Sequence, residues 1–128
     1  MSEQSELLKD RTMRFALDVC ALLKKLPAFE PGPTVRRQLA RSSTGLAFNY
    51  RATCRARSHT EFTSKMGVAA EEADESQGWL DFIQAAKLIA SPEVTRLVNE
   101  STELVAIFSA SVGTARYKER NKREQNED

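Results

Sequence analysis

The residues of this sequence with the clearest chemical potential are arginines that recur on one predicted helix. Each residue of an α-helix advances about 100°, so Arg41, Arg51 and Arg55 all fall within about 40° of Arg37 around the helix axis. Phe48 lies near the middle of the same face. Guanidinium groups bind phosphate oxygens, and an aromatic ring beside them can stack on an unpaired base. The spacing therefore predicts a face suited to RNA or DNA.

The arginines belong to a segment whose charge is opposite to that of the next segment. Residues 34–65 contain seven basic residues and one acid, a net charge of +6, whereas residues 66–94 carry a net charge of −5. The whole chain carries only +1. On the acidic segment, helical geometry places two acids and two aromatic residues on one outward face, which predicts an oligomer interface. Its members are Glu71, Glu75, Trp79 and Phe82.

Three interpretations of this charge pattern remain open. In the first, the charged residues form an ordinary solvated surface. In the second, the acidic face of one copy meets the basic face of another, with aromatic side chains between them, and builds a cyclic homo-oligomer that serves as a structural scaffold or protein-interaction module. In the third, the arginines bind a polyanion. The second and third are compatible because oligomerisation would join several basic faces into one surface.

The other residues with chemical potential do not form a recognisable catalytic or metal site. The acids of residues 71–75 lack the Glu-x-x-His pairs of di-metal helical bundles. His59 is the single histidine and falls at a predicted helix start, while Cys20 and Cys54 lie within apolar helical patterns without Cys-x-x-Cys spacing. No glycine-rich phosphate loop is present. We therefore predict a protein that is not an enzyme and needs no cofactor or metal.

Four amphipathic helices are expected to position the charged faces. Apolar residues recur in steps of four and three over stretches that begin near residues 5, 34, 59 and 92, and the third stretch ends near residue 90. Thr34 is expected to cap the second helix, Ser58 and Glu61 form a capping box for the third, and Ser91 followed by Pro92 starts the fourth. Short connections and the lack of a strand pattern predict an all-α, antiparallel up-down-up-down four-helix bundle.

The length of 128 residues fits a single domain with one hydrophobic core. We assign the bundle to residues 1–115 and expect residues 116–128 to form a charged, frayed tail, because apolar periodicity is lost there. Ser42 and Asn49 fall on the inward face of the second helix and are predicted to be polar core residues. The sequence shows neither a targeting segment nor an apolar run that could span a bilayer, which predicts a cytoplasmic protein without a membrane partner.

Residues 38–80, QLARSSTGLAFNYRATCRARSHTEFTSKMGVAAEEADESQGWL, resemble the four-helix-bundle proteins encoded in intervening sequences of 23S rRNA genes. The residues that match the family pattern are Gln38, Leu39, Arg41, Asn49, Tyr50, Arg51, Arg57, Ser58, Glu61 and Phe62, followed by Trp79 and Leu80. Ala52 departs from the pattern, which usually has glutamate at that position. The resemblance covers most of residues 7–115 and implies an antiparallel four-helix fold and, by analogy with related members, a pentamer.

A branch related to that family is the accessory variability determinant of diversity-generating retroelements. It is a basic pentamer that works with a reverse transcriptase and RNA. The resemblance therefore implies, by analogy, a homo-oligomer whose partners are RNA or DNA and a reverse transcriptase. A shared fold does not fix a shared function, so these partners remain expectations.

Overall fold

The structure, a computed structural model, describes residues 2–127 and consists of four α-helices and their connections. The helices are α1 (Glu3–Leu23), α2 (Gly32–Thr53), α3 (His59–Ala85) and α4 (Pro92–Glu127). No strand occurs in the described residues, which confirms the predicted all-α class. The outer limits of the predicted domain and tail, Met1 and Asp128, lie outside this range.

The starts of α2 and α3 differ in how they are capped. Ser58 caps α3 as predicted, because its Oγ accepts a hydrogen bond from the backbone N–H of Glu61 at 3.0 Å. The predicted cap of α2 is wrong, since the helix begins two residues before Thr34 and Pro31 is its N-cap; the backbone N–H of Thr34 instead donates to the Glu30 carboxylate at 3.0 Å. The start of α2 also packs closely on the preceding connection. A Cβ at Gly32 would lie 1.9 Å from the carbonyl oxygen of Pro27, so only glycine fits there.

The third helix ends earlier than its sequence pattern predicts. It ends at Ala85 rather than near Ala90, and Lys87 then adopts a left-handed backbone conformation with φ of 54°. The next residues leave the helix, but Ile89 still packs into the core. Apolar periodicity therefore continued past the end of the helix because the connection itself is partly buried.

The fourth helix extends beyond the part of the bundle that it packs against. Among the side chains that the structure describes, the last buried one of α4 is that of Ala115. The helix continues to Glu127, so the described part of the predicted tail is helical. Charged pairs one turn apart, such as Arg123 with Glu119 at 3.6 Å, support the exposed helix without a core.

Polar contacts between neighbouring helices show that the helices alternate in direction. Between α1 and α4 they join Arg11 to Glu100 and Asp18 to Arg96, and between α3 and α4 they join Gln77 to Thr102 and Gln84 to Thr95. In both interfaces a rising residue number in one helix meets a falling number in the other. Between α2 and α3, Ser42 contacts Ser76 and Gly45 lies against Glu72, and α2 meets α1 and the residues after it in the same opposed order, so the bundle is antiparallel.

The bundle core is mainly apolar, and two of its buried hydroxyl groups form a hydrogen bond between α2 and α3. Phe15, Leu39 and Phe108 are among the largest fully buried side chains. Ser42 and Ser76 are also fully buried, and the Ser76 hydroxyl donates a hydrogen bond to Ser42 Oγ at 2.9 Å. The Ser42 hydroxyl therefore accepts a hydrogen bond from the neighbouring helix.

Asn49, the other predicted polar core residue, lies in a different environment. It is half-buried, and its Nδ2 donates to the carbonyl oxygen of Gly45 at 2.7 Å. This hydrogen bond lies within α2. The Asn49 side chain thus forms its hydrogen bond within its own helix, and the described contacts include no hydrogen bond from it to another helix.

We expect Ser42→Ala to lower the free energy of unfolding by about 1–3 kcal/mol, because it leaves the buried Ser76 hydroxyl without its partner. The double variant S42A/S76A removes both hydroxyl groups. Its loss of unfolding free energy should be much smaller than the sum of the losses in the two single variants. Urea unfolding followed by circular dichroism measures these differences. Ser43→Ala is the matched control, since Ser43 is buried but bonds only to its own helix. Equal costs for S42A and S43A would contradict a contribution from the interhelical bond.

Candidate nucleic-acid interface

The basic face predicted on α2 is exposed in the folded chain. Leu39 and Leu46 on the opposite side of the helix are fully buried, and this burial turns the arginines outward. We call this surface the α2 basic face; its members are Arg37, Arg41, Phe48, Arg51 and Arg55, all of which are exposed. Phe48 is 57% exposed, a large value for an aromatic side chain.

Arg41 is the member of the α2 basic face that is held most firmly by the protein itself. Its guanidinium donates a hydrogen bond to the Glu75 carboxylate and lies 3.6 Å from Oε1 of Glu72, both on α3. The hydrogen bond to Glu75 and the negative charge of that residue raise the pKa of Arg41. Part of the positive charge of residues 34–65 is therefore paired with acids of residues 66–94 in the same chain. Glu75, predicted to contact another copy, already has this partner.

Arg37 is also close to an acid, although more loosely. Its Nη2 is 3.4 Å from Oγ1 of Thr34, which in turn donates to the Glu30 carboxylate at 2.9 Å. Hydrogen bonds from Thr34 lower the pKa of Glu30, and the positive charge of Arg37 adds to this effect. The first half of the α2 basic face is thus partly neutralised by neighbouring acids.

Arg51 and Arg55 provide the uncompensated charge of the α2 basic face. Neither forms an ion pair within residues 2–127. Arg51 is in the last turn of α2 and Arg55 lies two residues beyond its end, where the helix dipole favours positive side chains. Positive charge available to a ligand is therefore concentrated at this end of the helix.

A partly buried carboxylate, that of Glu72, lies against α2 below Arg41. Oε2 of Glu72 is inaccessible to solvent and has no hydrogen-bond partner among the described residues. Gly45 on α2 makes room for this group, since a Cβ there would lie 3.1 Å from Cδ of Glu72. Burial raises the pKa of Glu72; the positive charge of Arg41 opposes this effect, and the charges of Glu75 and Glu71 reinforce it. The charged form of Glu72 is therefore disfavoured in the folded protein.

The aromatic residues predicted to form an oligomer interface lie together on α3. The ring centroids of Trp79 and Phe82 are 5.8 Å apart in an edge-to-face arrangement. Trp79 packs against the core, whereas Phe82 remains 42% exposed. Glu71 is exposed on the same helix, more than two turns before Trp79. The four predicted residues thus comprise one exposed acid, one paired acid and a partly exposed aromatic pair.

The histidine and the cysteines take part in packing. Nε2 of His59 is 3.1 Å from the carbonyl oxygen of Ala115, and its ring stacks on Phe62. Cys20 and Cys54 are half-buried free thiols. Within residues 2–127 no group of three or more histidine, cysteine or acidic side chains is placed to hold a metal ion. None of the helices described is both long and apolar enough to cross a membrane.

The fold and this surface define an all-α four-helix bundle with a basic face on its second helix. The family model described as 23S rRNA-intervening sequence protein matches residues 6–110. The chain therefore belongs to the 23S rRNA-intervening sequence protein family, which confirms the resemblance found in its sequence.

A solved structure from this group of proteins is similar to the chain. It is a crystal structure of a protein with unknown function from the S23 ribosomal protein family of Bacteroides thetaiotaomicron VPI-5482. The two share 27% sequence identity with a TM-score of 0.73, and the match covers 81% of this chain and 96% of the other. No curated protein matches the chain.

We expect Glu72→Gln to stabilise the protein near neutral pH, because the substitution removes a charge that burial disfavours. The pKa of Glu72 is raised in the folded state, so the cost of its charge is present above that pKa. The gain in unfolding free energy should disappear as the pH falls below the ordinary glutamate pKa of about 4.3, because Glu72 of the wild-type protein is then protonated and carries no charge. Urea unfolding at about pH 7 and about pH 4 measures this difference. Asp74→Asn, at an exposed position on the same helix, is the control; a gain no larger than that of D74N would contradict the burial effect.

Proposed function

We propose that this protein binds unpaired stretches of RNA or DNA through the α2 basic face, with little preference for sequence. The observation that carries the proposal is the position of Phe48, a 57% exposed ring one turn before Arg51 on α2, with the exposed Arg55 just beyond the end of the helix. An exposed aromatic side chain between cations matches the ligand chemistry of a nucleic acid strand, which offers phosphates and base faces together.

In the proposed complex, Arg51 and Arg55 neutralise phosphates and release bound counterions. Phe48 stacks on an unpaired base, which removes its ring from water. Arg41 contributes less, because its guanidinium is already shared with Glu75. Phosphate contacts and stacking do not read base edges, so this arrangement supports affinity without sequence specificity.

We also propose that copies of the chain associate through the Trp79 and Phe82 surface. The supporting observation is the exposed edge of this aromatic pair, since exposed aromatic side chains are enriched at protein interfaces. A ring of copies, which the family resemblance suggested to be a pentamer, would bring several α2 basic faces to one strand and raise its avidity. If the aromatic surface alone were functional, the protein would be a structural scaffold.

The double variant R51Q/R55Q should weaken binding to a fluorescently labelled oligouridylate and reduce its salt dependence. Each lost phosphate contact on a single strand lowers the slope of log affinity against log salt concentration by about 0.7, so the slope should fall by about 1.4. Fluorescence anisotropy titrations at several salt concentrations measure it. R14Q/K24Q is the matched control, because it removes the same charge from two exposed positions, one on α1 and one immediately after it. Equal slopes for the two double variants would contradict the proposed site.

In the same assay, Phe48→Ala separates stacking from charge. Loss of one stacked base should weaken binding of the single strand by about 5- to 150-fold, which corresponds to 1–3 kcal/mol. Binding of a duplex of the same length should change little, since its bases are already stacked. Phe29→Ala is the control, because Phe29 is 75% exposed in the connection between α1 and α2. An equal loss for single strand and duplex would argue against stacking on Phe48.

Phe82→Glu should reduce the assembled protein to a monomer, because it places a charge at the apolar centre of the proposed contact. Light scattering coupled to size-exclusion chromatography measures the mass. Phe29→Glu, at an exposed aromatic residue on a different part of the chain, should leave the assembly intact. A wild-type protein that stays monomeric up to high concentration would rule out this self-association and would leave the nucleic-acid proposal to be judged by its own titrations.

A further inference from the structure

A cavity of about 910 Å³ opens between the helices at the end of the bundle where α1 begins. Its walls are the first turns of α1, the last turn of α2, the start of α3, and α4 from Ile107 to Lys118. The contact between α1 and α4 is the least extensive of those between neighbouring helices. Small residues of α4, among them Ala110 and Thr114, line this gap. Its volume is within the usual range of about 300–1,000 Å³ for small-molecule sites.

The wall of the cavity is mainly apolar. Leu8, Phe62, Met66 and Ile107 contribute apolar side chains from three helices. Tyr50 supplies a hydroxyl group, and burial raises the pKa of this phenol to about 12. The phenol therefore remains protonated at neutral pH and can donate a hydrogen bond. A largely apolar wall with a few polar groups is the usual composition of a site for a small organic ligand.

The charges around the cavity have one sign. Among the described residues that line it there is no aspartate or glutamate, and the charged ones are Arg11 and Lys118. Arg11 is held by Glu100 at 2.5 Å and by Glu103 at 3.0 Å. Lys118 forms no ion pair in the part of the chain that the structure describes. A ligand in this cavity would therefore meet an apolar wall and one uncompensated positive charge.

We propose that this cavity binds a small amphipathic carboxylate of the fatty-acid type, with its apolar chain against α4 and its carboxylate near Lys118. One available cation suits a monoanion better than a nucleotide or another polyanion. A helix from a second copy is a poorer match. The large apolar side chains exposed among the described residues are spread over all four helices and one connection, so they do not form an apolar stripe on one segment.

The test uses decanoate as the probe, below its micelle concentration, added to the ¹⁵N-labelled full-length protein. Two-dimensional NMR should show saturable shifts centred on the residues that line the cavity. Ala110→Phe should abolish these shifts by filling the groove, and Ala106→Phe, one turn earlier on the exposed side of α4, should leave them intact. Lys118→Gln should weaken binding about three- to fivefold, whereas Lys122→Gln, outside the cavity, should not.

Four outcomes would overturn the proposal. Decanoate could fail to give saturable shifts, or could bind A110F and A106F equally well. Decanol, which has the same chain and no charge, could bind as tightly as decanoate. The NMR signals of the residues that line the cavity could instead shift with protein concentration and not with decanoate. That result would identify the cavity as an interface between copies. R51Q/R55Q should leave decanoate binding unchanged, so this result is independent of the nucleic-acid titrations.

Discussion

The close packing of α2 against α3 is the contact on which the rest of the structure depends. Small residues face each other there, and the hydrogen bond between Ser76 and Ser42 joins the two helices inside the core. Gly45 lets the carboxylate of Glu72 lie against α2. With Leu39 and Leu46 held in the interior, the arginines of α2 have no position other than the surface. The basic face is thus a consequence of core packing.

The same contact also determines how much of that positive charge is available. Glu75 of α3 reaches Arg41, so the pairing of the basic and acidic segments takes place partly inside one chain. Arg51 and Arg55 lie beyond the reach of these acids, at the end of the bundle where α4 projects. This projecting part of α4 carries further cations interspersed with acids. The cations are Arg116, Lys118, Arg120, Lys122 and Arg123. Charge at this end is accordingly less compensated than along the middle of the bundle.

The proposed functions use different parts of the molecule. The aromatic pair of Trp79 and Phe82 lies toward the end of α3, whereas the cavity lies at its start, beside His59. Arg51 and Arg55 are on the outer side of α2. Within one chain, the aromatic pair, the cavity lining and the basic face therefore share no residue. The bundle can accommodate an assembly contact and two kinds of ligand because its four helices expose separate faces.

The sequence by itself determined the helices and the direction in which each face points, because an apolar period of three to four residues fixes both. It located the cap at Ser58 and the exposure of Phe48, which depend on local geometry. It failed where the outcome depends on distant residues. The early start of α2, the partner of Arg41 and the burial of Glu72 were decided by the packing of α2 on other parts of the chain. The cavity likewise arises only in the tertiary structure, because its walls come from all four helices and its volume depends on how far α1 stands from α4.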